Sequence, residues 1–298
     1  MAVATLVATR APVLVCPAMH TEMWEHAAIV ENIATLRRRG VIILEPAIGR
    51  LAGGDVGAGR LAEPEQIVAE VERMLSPGDM SGLNVVISTG GTREPIDAVR
   101  VIANRSSGKQ GIAIAREAIA RGAKVTLVST VEVASEPALE VVAVETADEM
   151  REAMGRYAAG ADVVVMAAAV ADVRPARFAT GKLKKDPTTG RIDGLDSIEL
   201  EPTVDILAGL GSARSAGQVL VGFAAETSDL VENASAKLER KGADLIVAND
   251  VSLPDAGFEV DTNRVVLLGA DGTSTELPLL SKSEVAAALL DHVQRLLG

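Results

Sequence analysis

A chain of 298 residues, of which 48% are hydrophobic, is long enough for one large domain or two small ones, each with its own core. The formal net charge of −12 excludes a broad basic surface for nucleic acid or anionic lipid, and aromatic residues, at 2%, are too scarce to stack a run of bases. The single cysteine, Cys16, excludes an internal disulfide framework. Without a basic leader or a bilayer-length apolar run, we expect a cytoplasmic protein that does not span a membrane.

Short apolar runs recur along the chain and alternate with helical patterns. The runs occupy residues 12–16, 41–44, 84–88, 124–129, 162–166, 218–223 and 244–248. Because they are apolar throughout, they are typical of parallel strands that are covered on both faces. The order predicts an α/β fold, with a Rossmann-like, mostly parallel sheet and helices on both faces. Near the end, residues 264–268 and 275–279 flank Ala270-Asp271-Gly272, which predicts a late β-hairpin.

Capping residues mark where several of the helices begin and end. Thr146 with Glu149, and Ser281 with Glu284, have the spacing of a capping box ahead of an apolar stripe. Two other helical patterns end at glycines that suit a left-handed C-cap, Gly122 and Gly242.

The most turn-rich stretch, residues 76–82, predicts a linker between two domains. Residues 1–75 supply only two predicted strands and two predicted helices, too few for a complete doubly wound domain. We therefore expect a partial flavodoxin-like segment whose sheet starts upstream, followed by a full domain over residues 83–298.

Residues 57–62 match the dinucleotide pattern of spaced glycines, Gly-Ala-Gly-Arg-Leu-Ala. That pattern requires a strand that runs directly into the glycine turn and a helix that begins within it. Here a long glycine-rich segment separates the predicted strand from a helix that Pro64 opens. The context argues against a dinucleotide site.

A second candidate follows the strand at 84–88, where Gly90 and Gly91 end the strand and a polar loop leads to Ser106-Ser107-Gly108. The loop carries Arg93, Asp97, Asn104 and Arg105. Helix N-termini at the carboxyl ends of parallel strands bind anions, so this region could hold a phosphate. A plain turn with an N-cap serine is the alternative.

After Met166, small residues occupy positions 167–171, and the tract ends in Asp172. Ala168, Ala169 and their neighbours would let a flat ligand approach the backbone, and Asp172 could bind a ribose hydroxyl or a metal ion. Close packing between a helix and the sheet explains the same residues equally well. The basic run that follows, Lys182, Lys184 and Lys185, is either a solvated loop or a mobile segment that neutralises phosphate charge.

Two further strand ends carry Phe223, Asn249 and Asp250. Phe223 could face a base, although a core position is the commoner role, and Asn249 and Asp250 could equally cap a turn. The histidines lie outside residues 84–291, as does Cys16. This excludes a Ser-His-Asp or Cys-His arrangement there and favours a reaction in which the substrates bring the nucleophiles, such as nucleotidyl transfer.

Over residues 82–297 these motifs resemble those of bacterial phosphopantothenoylcysteine synthetase in order and spacing. The shared motifs are Gly-Gly-Thr-Arg-Glu-Pro-Ile-Asp at 90–97, Asn104 with Ser-Ser-Gly-Lys-Gln-Gly at 106–111, Ala-Ala-Val-Ala-Asp at 168–172, Lys-Leu-Lys-Lys at 182–185, Gly-Phe-Ala-Ala-Glu-Thr at 222–227 and Ala-Asn-Asp-Val at 248–251.

The resemblance implies a two-step ligation in coenzyme A biosynthesis. The carboxylate of 4'-phosphopantothenate attacks the α-phosphate of CTP with the help of Mg²⁺, giving an acyl-cytidylate and pyrophosphate, and the amine of L-cysteine then displaces CMP. By the same resemblance Asn104 holds the intermediate, Ala168 and Ala169 line the cytosine and acyl site, and Lys182 reaches the phosphates.

The resemblance also implies that Asp172 and Phe223 help to bind the nucleotide, with Gly90, Gly91, Lys184, Lys185, Asn249 and Asp250 as further candidates. The triphosphate would hold most of the Mg²⁺ coordination, with Asp172 as one protein ligand. Members of this family pair as homodimers, and the late hairpin is our predicted interface. A higher assembly is expected if the first domain, whose residues resemble a decarboxylase as described next, is complete.

The front of the chain resembles the Pro-x-Met-Asn-x-x-Met-Trp motif of the FMN-dependent phosphopantothenoylcysteine decarboxylase, through Met19, His20, Met23 and Trp24. His20 replaces the family's asparagine, and Gly53 stands where its substrate-clamp cysteine usually lies. The family's flavin-binding start and catalytic histidine would lie upstream of Met1. We therefore expect a truncated segment that neither retains FMN nor decarboxylates.

Two other functions remain as alternatives. A nonenzymatic regulatory or scaffold subunit would have the same fold, although it would not need the polar motifs. A nicotinamide dehydrogenase would depend on residues 57–62, and it predicts a change in nicotinamide fluorescence on mixing.

Overall fold

A computed structural model describes residues 2–51, 53–54, 56–75, 78–134, 136, 138–185, 188–190, 192, 195, 197–226, 230–250 and 260–298. The chain divides into two compact units, Met1–Gly78 and Asp79–Gly298. The division falls within the turn-rich stretch 76–82, of which residues 76 and 77 lie outside the described part.

The first unit contains two small two-stranded sheets and four helices among its described residues. Its elements are α1 (Ala2–Ala8), β1 (Leu14–Val15), α2 (Thr21–Trp24), α3 (Ala27–Arg38), β2 (Ile42–Ile43), β3 (Ala47–Arg50), β4 (Val56–Arg60) and α4 (Pro64–Leu75). β1 pairs with β2 in parallel, and β3 pairs with β4 as an antiparallel hairpin. The expected count of two strands and two helices was too low, because the glycine-rich segment forms this hairpin and two short helices lack a clear periodic pattern.

The second unit is built on an eight-stranded sheet. Its elements are β5 (Asn84–Thr89), β6 (Arg93–Pro95), β7 (Val101–Ala103), α5 (Lys109–Ala120), β8 (Lys124–Ser129), β9 (Leu139–Ala143), α6 (Ala147–Ala158), β10 (Val163–Met166), β11 (Val173–Pro175), β12 (Leu200–Pro202), α7 (Ile206–Ala213), β13 (Val219–Glu226), α8 (Leu230–Lys241), β14 (Leu245–Asp250), β15 (Thr262–Asn263), β16 (Val265–Gly269), β17 (Ser274–Glu276), β18 (Leu280–Ser281) and α9 (Lys282–Leu297).

The sheet has the strand order β17-β16-β14-β13-β10-β5-β8-β9. All pairs from β14 to β9 are parallel, whereas β16 and β17 are antiparallel and form the predicted late hairpin. The predicted α/β fold with a mostly parallel sheet is confirmed. Two small antiparallel ribbons, β6–β7 and β11–β12, were not predicted.

The strand order reverses between β5 and β10. After β5 the chain moves outward through β8 and β9, and it then returns to β10 and continues outward through β13 and β14. Ligands of doubly wound proteins bind beyond the carboxyl ends of the strands at such a switch point.

Helices cover both faces of the sheet, and successive strand residues point to opposite faces. Val85 and Ile87 pack with α5 and α9 in one apolar cluster, whereas Val86 packs with α6, α7 and α8 in the other. The helices that follow β5 and β10, namely α5 and α7, therefore lie on opposite faces. This arrangement opens a crevice between them at the carboxyl edge.

The predicted helix ends are observed. Thr146 with Glu149 caps α6 and Ser281 with Glu284 caps α9, each as a complete capping box. Gly122 and Gly242 have the positive φ values, 92° and 61°, of a left-handed C-cap. Substituting a capping residue by Ala typically costs about 1 kcal/mol.

Candidate functional site

A cleft of about 660 Å³ lies at the switch point. Most of the residues proposed from the sequence line it: Asn104, Ser106, Ser107, Gly108, Ala168, Ala169, Asp172, Phe223 and Asn249. They come from four chain segments between residues 104 and 249, which the parallel sheet brings to one edge. No histidine or cysteine is among the described residues that line the cleft.

The chain beyond β5 is bonded to the chain beyond β10. The amide of Ala169 donates to the carbonyl of Gly90 at 2.8 Å, and Gly91 forms an isolated parallel bridge with Ala169. A Cβ on Gly91 would lie 2.5 Å from the carbonyl oxygen of Asn104, so only glycine permits this approach. Gly90 and Gly91 thus shape the floor without lining the cleft.

Asn104 reaches across the cleft. Its Nδ2 donates to the carbonyl of Val170 at 2.9 Å, which fixes the orientation of the side-chain amide against the small-residue tract. Since one N–H of the amide is engaged in this bond, its Oδ1 and second N–H remain for contacts with a ligand.

The N-terminus of α5 faces the cleft. Gly108, with φ 73°, is the N-cap residue, so the cap is a left-handed glycine rather than the serine considered from the sequence. Thr89 fixes the turn by donating its hydroxyl to the carbonyl of Gly108 at 2.7 Å. Lys109, Gln110 and Gly111 of the first helical turn line the cleft, which is an arrangement typical of anion binding.

The small-residue tract contributes surface more than amide donors. The N–H groups of Ala168, Ala169 and Ala171 donate within the protein, to Ser88 Oγ at 3.1 Å, to the Gly90 carbonyl and to Thr92 Oγ1 at 2.9 Å. A ligand therefore meets methyl groups and the remaining carbonyls of the tract. The N–H groups of these three alanines are therefore already bonded within the protein and do not face a base.

Five cations line the cleft: Arg105, Lys109, Lys237, Lys241 and Lys282. Arg105 and Lys109 belong to the loop and motif already considered from the sequence, whereas the other three lie outside every motif. Lys237 donates to the carbonyl of Phe223 at 2.8 Å, and Lys241 forms an ion pair with Asp205. In the sequence, the i, i+4 spacing of Lys237 and Lys241 places both side chains on one face of α8. This spacing is the signal from which their shared location could have been predicted. On a protein with a net charge of −12, this concentration of positive charge marks a site for an anion.

Lys282 is 6% exposed and begins α9. Burial, reinforced by the nearby charge of Lys109, lowers the pKa of its ammonium group, although Asp261 opposes this. Lys109 in turn pairs with Asp261 at 2.6 Å and lowers the pKa of that carboxyl. An incoming anion would offset the cost of burying Lys282 as a cation.

Some of the predicted residues lie outside the cleft, and others lie at its edge. Lys182, Lys184 and Lys185 are exposed and do not line the cleft, and Asp172 stands exposed at its rim. Asn249 and Asp250 belong to β14 itself rather than to a turn, and Asn249 is buried at 7%. The side chain of Asp250 lies outside the described part, as do Thr227 and Val251 of the family motifs.

In the first unit, the residues of the decarboxylase-like motif surround α2. His20 precedes the helix and pairs with Glu22, while Met23 and Trp24 belong to the helix. Met19 donates its amide to the carbonyl of Gly59 at 2.8 Å, where a Cβ on Gly59 would clash with the Met19 carbonyl oxygen. Gly59 of β4 therefore permits the close approach of Met19, and residues 57–62 do not form the strand-turn-helix of a dinucleotide site.

Within the described residues, no group of three or more His, Cys, Asp or Glu side chains could hold a metal ion. Among the helices that the structure describes, none combines the length and apolar character needed to cross a bilayer.

The fold and the cleft define a doubly wound α/β protein with a pocket lined by cations at its switch point. Two family models match the chain: the DNA/pantothenate metabolism flavoprotein C-terminal domain over residues 80–297, and Flavoprotein over residues 1–76.

The coenzyme A biosynthesis bifunctional protein CoaBC of Mycobacterium tuberculosis is 49% identical over 306 aligned positions, covering 97% of this chain and 72% of the relative. The CoaBC of Bacillus subtilis is 42% identical, covering 99% and 72%. The crystal structure of a CoaBC C-terminal domain superposes with a TM-score of 0.62 at 40% identity, over 74% of this chain and 98% of that one. A Cab2 mutant in complex with phosphopantothenate-cysteine has the same fold, with a TM-score of 0.57 at 16% identity over 78% and 94%.

The chain belongs to the CoaBC family, which makes it an enzyme of coenzyme A biosynthesis.

Proposed function

We propose that the second unit is a phosphopantothenate–cysteine ligase that joins 4'-phosphopantothenate to L-cysteine at the expense of CTP. The observation that carries this proposal is the cleft at the switch point, which combines a helix N-terminus, five cations and Asn104, with no histidine or thiol among its described lining residues. Such a site positions anionic substrates and neutralises charge, while the substrates themselves supply the nucleophiles.

In the first step, a carboxylate oxygen of phosphopantothenate attacks the α-phosphorus of CTP, the bond to the β-phosphate oxygen breaks, and pyrophosphate leaves. Lys237 and Lys241 are suited to the phosphates because both line the cleft beside Phe223. Phe223, Asn249 and the methyl groups of Ala168 and Ala169 offer the flat surface that a base requires. Lys182 would approach the phosphates from outside the cleft wall.

Mg²⁺ fits this site as an ion carried mainly by the triphosphate. Asp172 stands at the rim and Asp205 is paired with Lys241, so the described cleft offers too few carboxylates for an all-protein cage. Mg²⁺ commonly takes one or two carboxylates together with substrate phosphates. Bound there, it would neutralise charge on the leaving pyrophosphate, with Asp172 as its protein ligand.

In the second step, the amine nitrogen of cysteine attacks the acyl carbon of the acyl-cytidylate, and CMP leaves with the electrons of the broken C–O bond. Asn104 is suited to hold this intermediate, because its amide is already oriented by Val170. The N-terminus of α5 and Lys109 are suited to the terminal phosphate of the pantothenate moiety.

Pyrophosphate release tests the proposal. We expect CTP and phosphopantothenate to release pyrophosphate, and the addition of cysteine to sustain turnover and yield CMP. No release, or equal release with ATP, would contradict the proposed substrate pair.

We further propose that the protein is a homodimer through its second unit. The late hairpin remains our predicted interface, and its outer strand β17 is a fully exposed edge. The substitution Glu276→Pro tests that edge, because the backbone N–H of Glu276 faces away from β16. Sedimentation of the full chain and of this variant checks both parts. A dimer that persists in the variant places the interface elsewhere.

A further inference from the structure

Asp97 has a side chain with no exposed surface, in the turn between β6 and β7. Its Oδ1 accepts the backbone N–H groups of Val99 and Arg100, each at 2.8 Å. These two bonds are local and would form the same turn in any protein. The second carboxylate oxygen of Asp97, Oδ2, takes no part in these two bonds.

Asp97 Oδ2 contacts a segment 86 residues away. It accepts the backbone N–H of Leu183 at 3.2 Å and pairs with the guanidinium of Arg100. Arg100 Nη1 also donates to the carbonyl of Leu183 at 3.3 Å, so the pair holds both backbone groups of one residue. We call Asp97 and Arg100 together the clasp.

Leu183 lies directly between Lys182 and Lys184, so the clasp fixes the centre of the basic segment. A further hydrogen bond, from the Ala179 amide to the Ile96 carbonyl at 3.1 Å, ties the residues that precede the basic segment to the same turn. Lys182 and Lys184 remain exposed, with their ammonium groups uncommitted to the clasp.

The clasp is charged at physiological pH. Burial alone would raise the pKa of Asp97, but hydrogen bonds from the amides of Val99, Arg100 and Leu183 and from the Arg100 guanidinium lower it to about 2. A charged acceptor makes each of these bonds stronger than a neutral one.

We propose that Asp97 is a positioning residue for the ligation reaction, which acts by anchoring Leu183 and thereby limiting the volume that the neighbouring Lys182 samples before it neutralises the transferring phosphate. The inference rests on the proposed function. An unanchored lysine would sample a larger volume and spend less time near the phosphates.

The substitution Asp97→Asn separates the two roles of this side chain. With the amide oxygen in the Oδ1 position, the local turn survives, whereas an NH₂ group at the Oδ2 position faces two donors and releases Leu183. Asp162→Asn is the matched control, because Asp162 Oδ2 accepts the amide of Asn84 at 2.8 Å at the opposite edge of the sheet.

Single-turnover pyrophosphate release is then measured for D97N, K182Q, the double variant and the control. We expect D97N to slow release by about tenfold and K182Q by about tenfold or more, since each weakens one contact to the transition state. The double variant should be no slower than K182Q beyond about twofold, because Asp97 acts through Lys182. Attack of cysteine on the preformed intermediate should be unchanged in D97N.

A second readout does not depend on the reaction. Trypsin should cleave after Lys182 and Lys184 faster in D97N than in the unsubstituted protein, with no such change in D162N. Multiplicative kinetic effects, an equal slowing by D162N, faster release in D97N or an unchanged cleavage rate would each overturn the clasp. Absence of pyrophosphate release from the unsubstituted protein would instead overturn the proposed function, while the cleavage experiment still tests the anchoring.

Discussion

The two units of this protein differ in how they bury their apolar residues. In the second unit, large side chains on both faces of the sheet are fully buried. In the described part of the first unit, the buried residues are Pro17, Pro46, Gly59 and Ala62, and α3 buries none of its side chains. Because a packed sheet holds strand ends in fixed positions, the second unit supports a site assembled from distant segments.

A core truncation tests this contrast with the largest expected effect. Leu289→Ala, at a fully buried position on α9, should lower the free energy of unfolding of the second unit by about 3 kcal/mol, because it removes buried methyl groups and leaves a cavity. Leu75→Ala, at a position on α4 that is 75% exposed, should change the free energy of unfolding of the first unit by less than about 0.5 kcal/mol. Urea unfolding followed by circular dichroism measures both, and equal losses would remove the contrast.

The contrast extends to activity. Asn104→Ala should permit pyrophosphate release but lower the rate of product formation with cysteine by about tenfold or more, since the intermediate loses an oriented amide. His20→Ala in the first unit should leave the ligation rate unchanged. Rapid quench with radiolabelled CTP distinguishes the two steps, and a loss confined to the first step would argue against the role given to Asn104.

The clasp predicts a smaller, pH-dependent difference. Asp97 has a folded pKa of about 2, below its ordinary value of 3.8, so its stabilising contribution is complete above about 4 and is lost as the pH falls through 2. The difference in unfolding free energy between the unsubstituted protein and D97N should be constant from pH 7 to 5 and should shrink between pH 4 and 2. Urea titrations at several pH values check this, and a difference that already disappears at pH 6 would contradict it.

The smallest expected signal comes from the first unit. With His20 in place of the asparagine and Gly53 in place of the clamp cysteine, we expect the purified protein to show no FMN absorbance band and no decarboxylation of phosphopantothenoylcysteine. Addition of FMN followed by gel filtration is the measurement. A retained, stoichiometric flavin would show that these two positions do not decide binding.

Much of the second unit could be predicted from periodicity alone. The seven apolar runs all became strands, and the capping boxes at Thr146 and Ser281 mark helix starts as expected. The ribbons β6–β7 and β11–β12 were missed, because strands of three residues carry too little alternation to be recognised. The hairpin at residues 47–60 was missed because glycines in a strand resemble a loop.

The candidate site was predicted in part. Residues next to one another in the chain, such as Ser106 and Gly108, are typical of an anion site, and the structure places them on the cleft. Lys237, Lys241 and Lys282 were missed, because an isolated lysine on an amphipathic helix normally belongs to its solvated face.

The sequence by itself determined the elements, their order and the small residues at the strand ends, because these depend on local periodicity and on backbone freedom at positions such as Gly91. Only the tertiary structure decided which charges meet. Helices α8 and α9 deliver Lys237, Lys241 and Lys282 to a cleft that α5 opens, and Asp97 contacts Leu183 across 86 residues. Such contacts depend on strand order and on the packing of both faces, which no local pattern encodes.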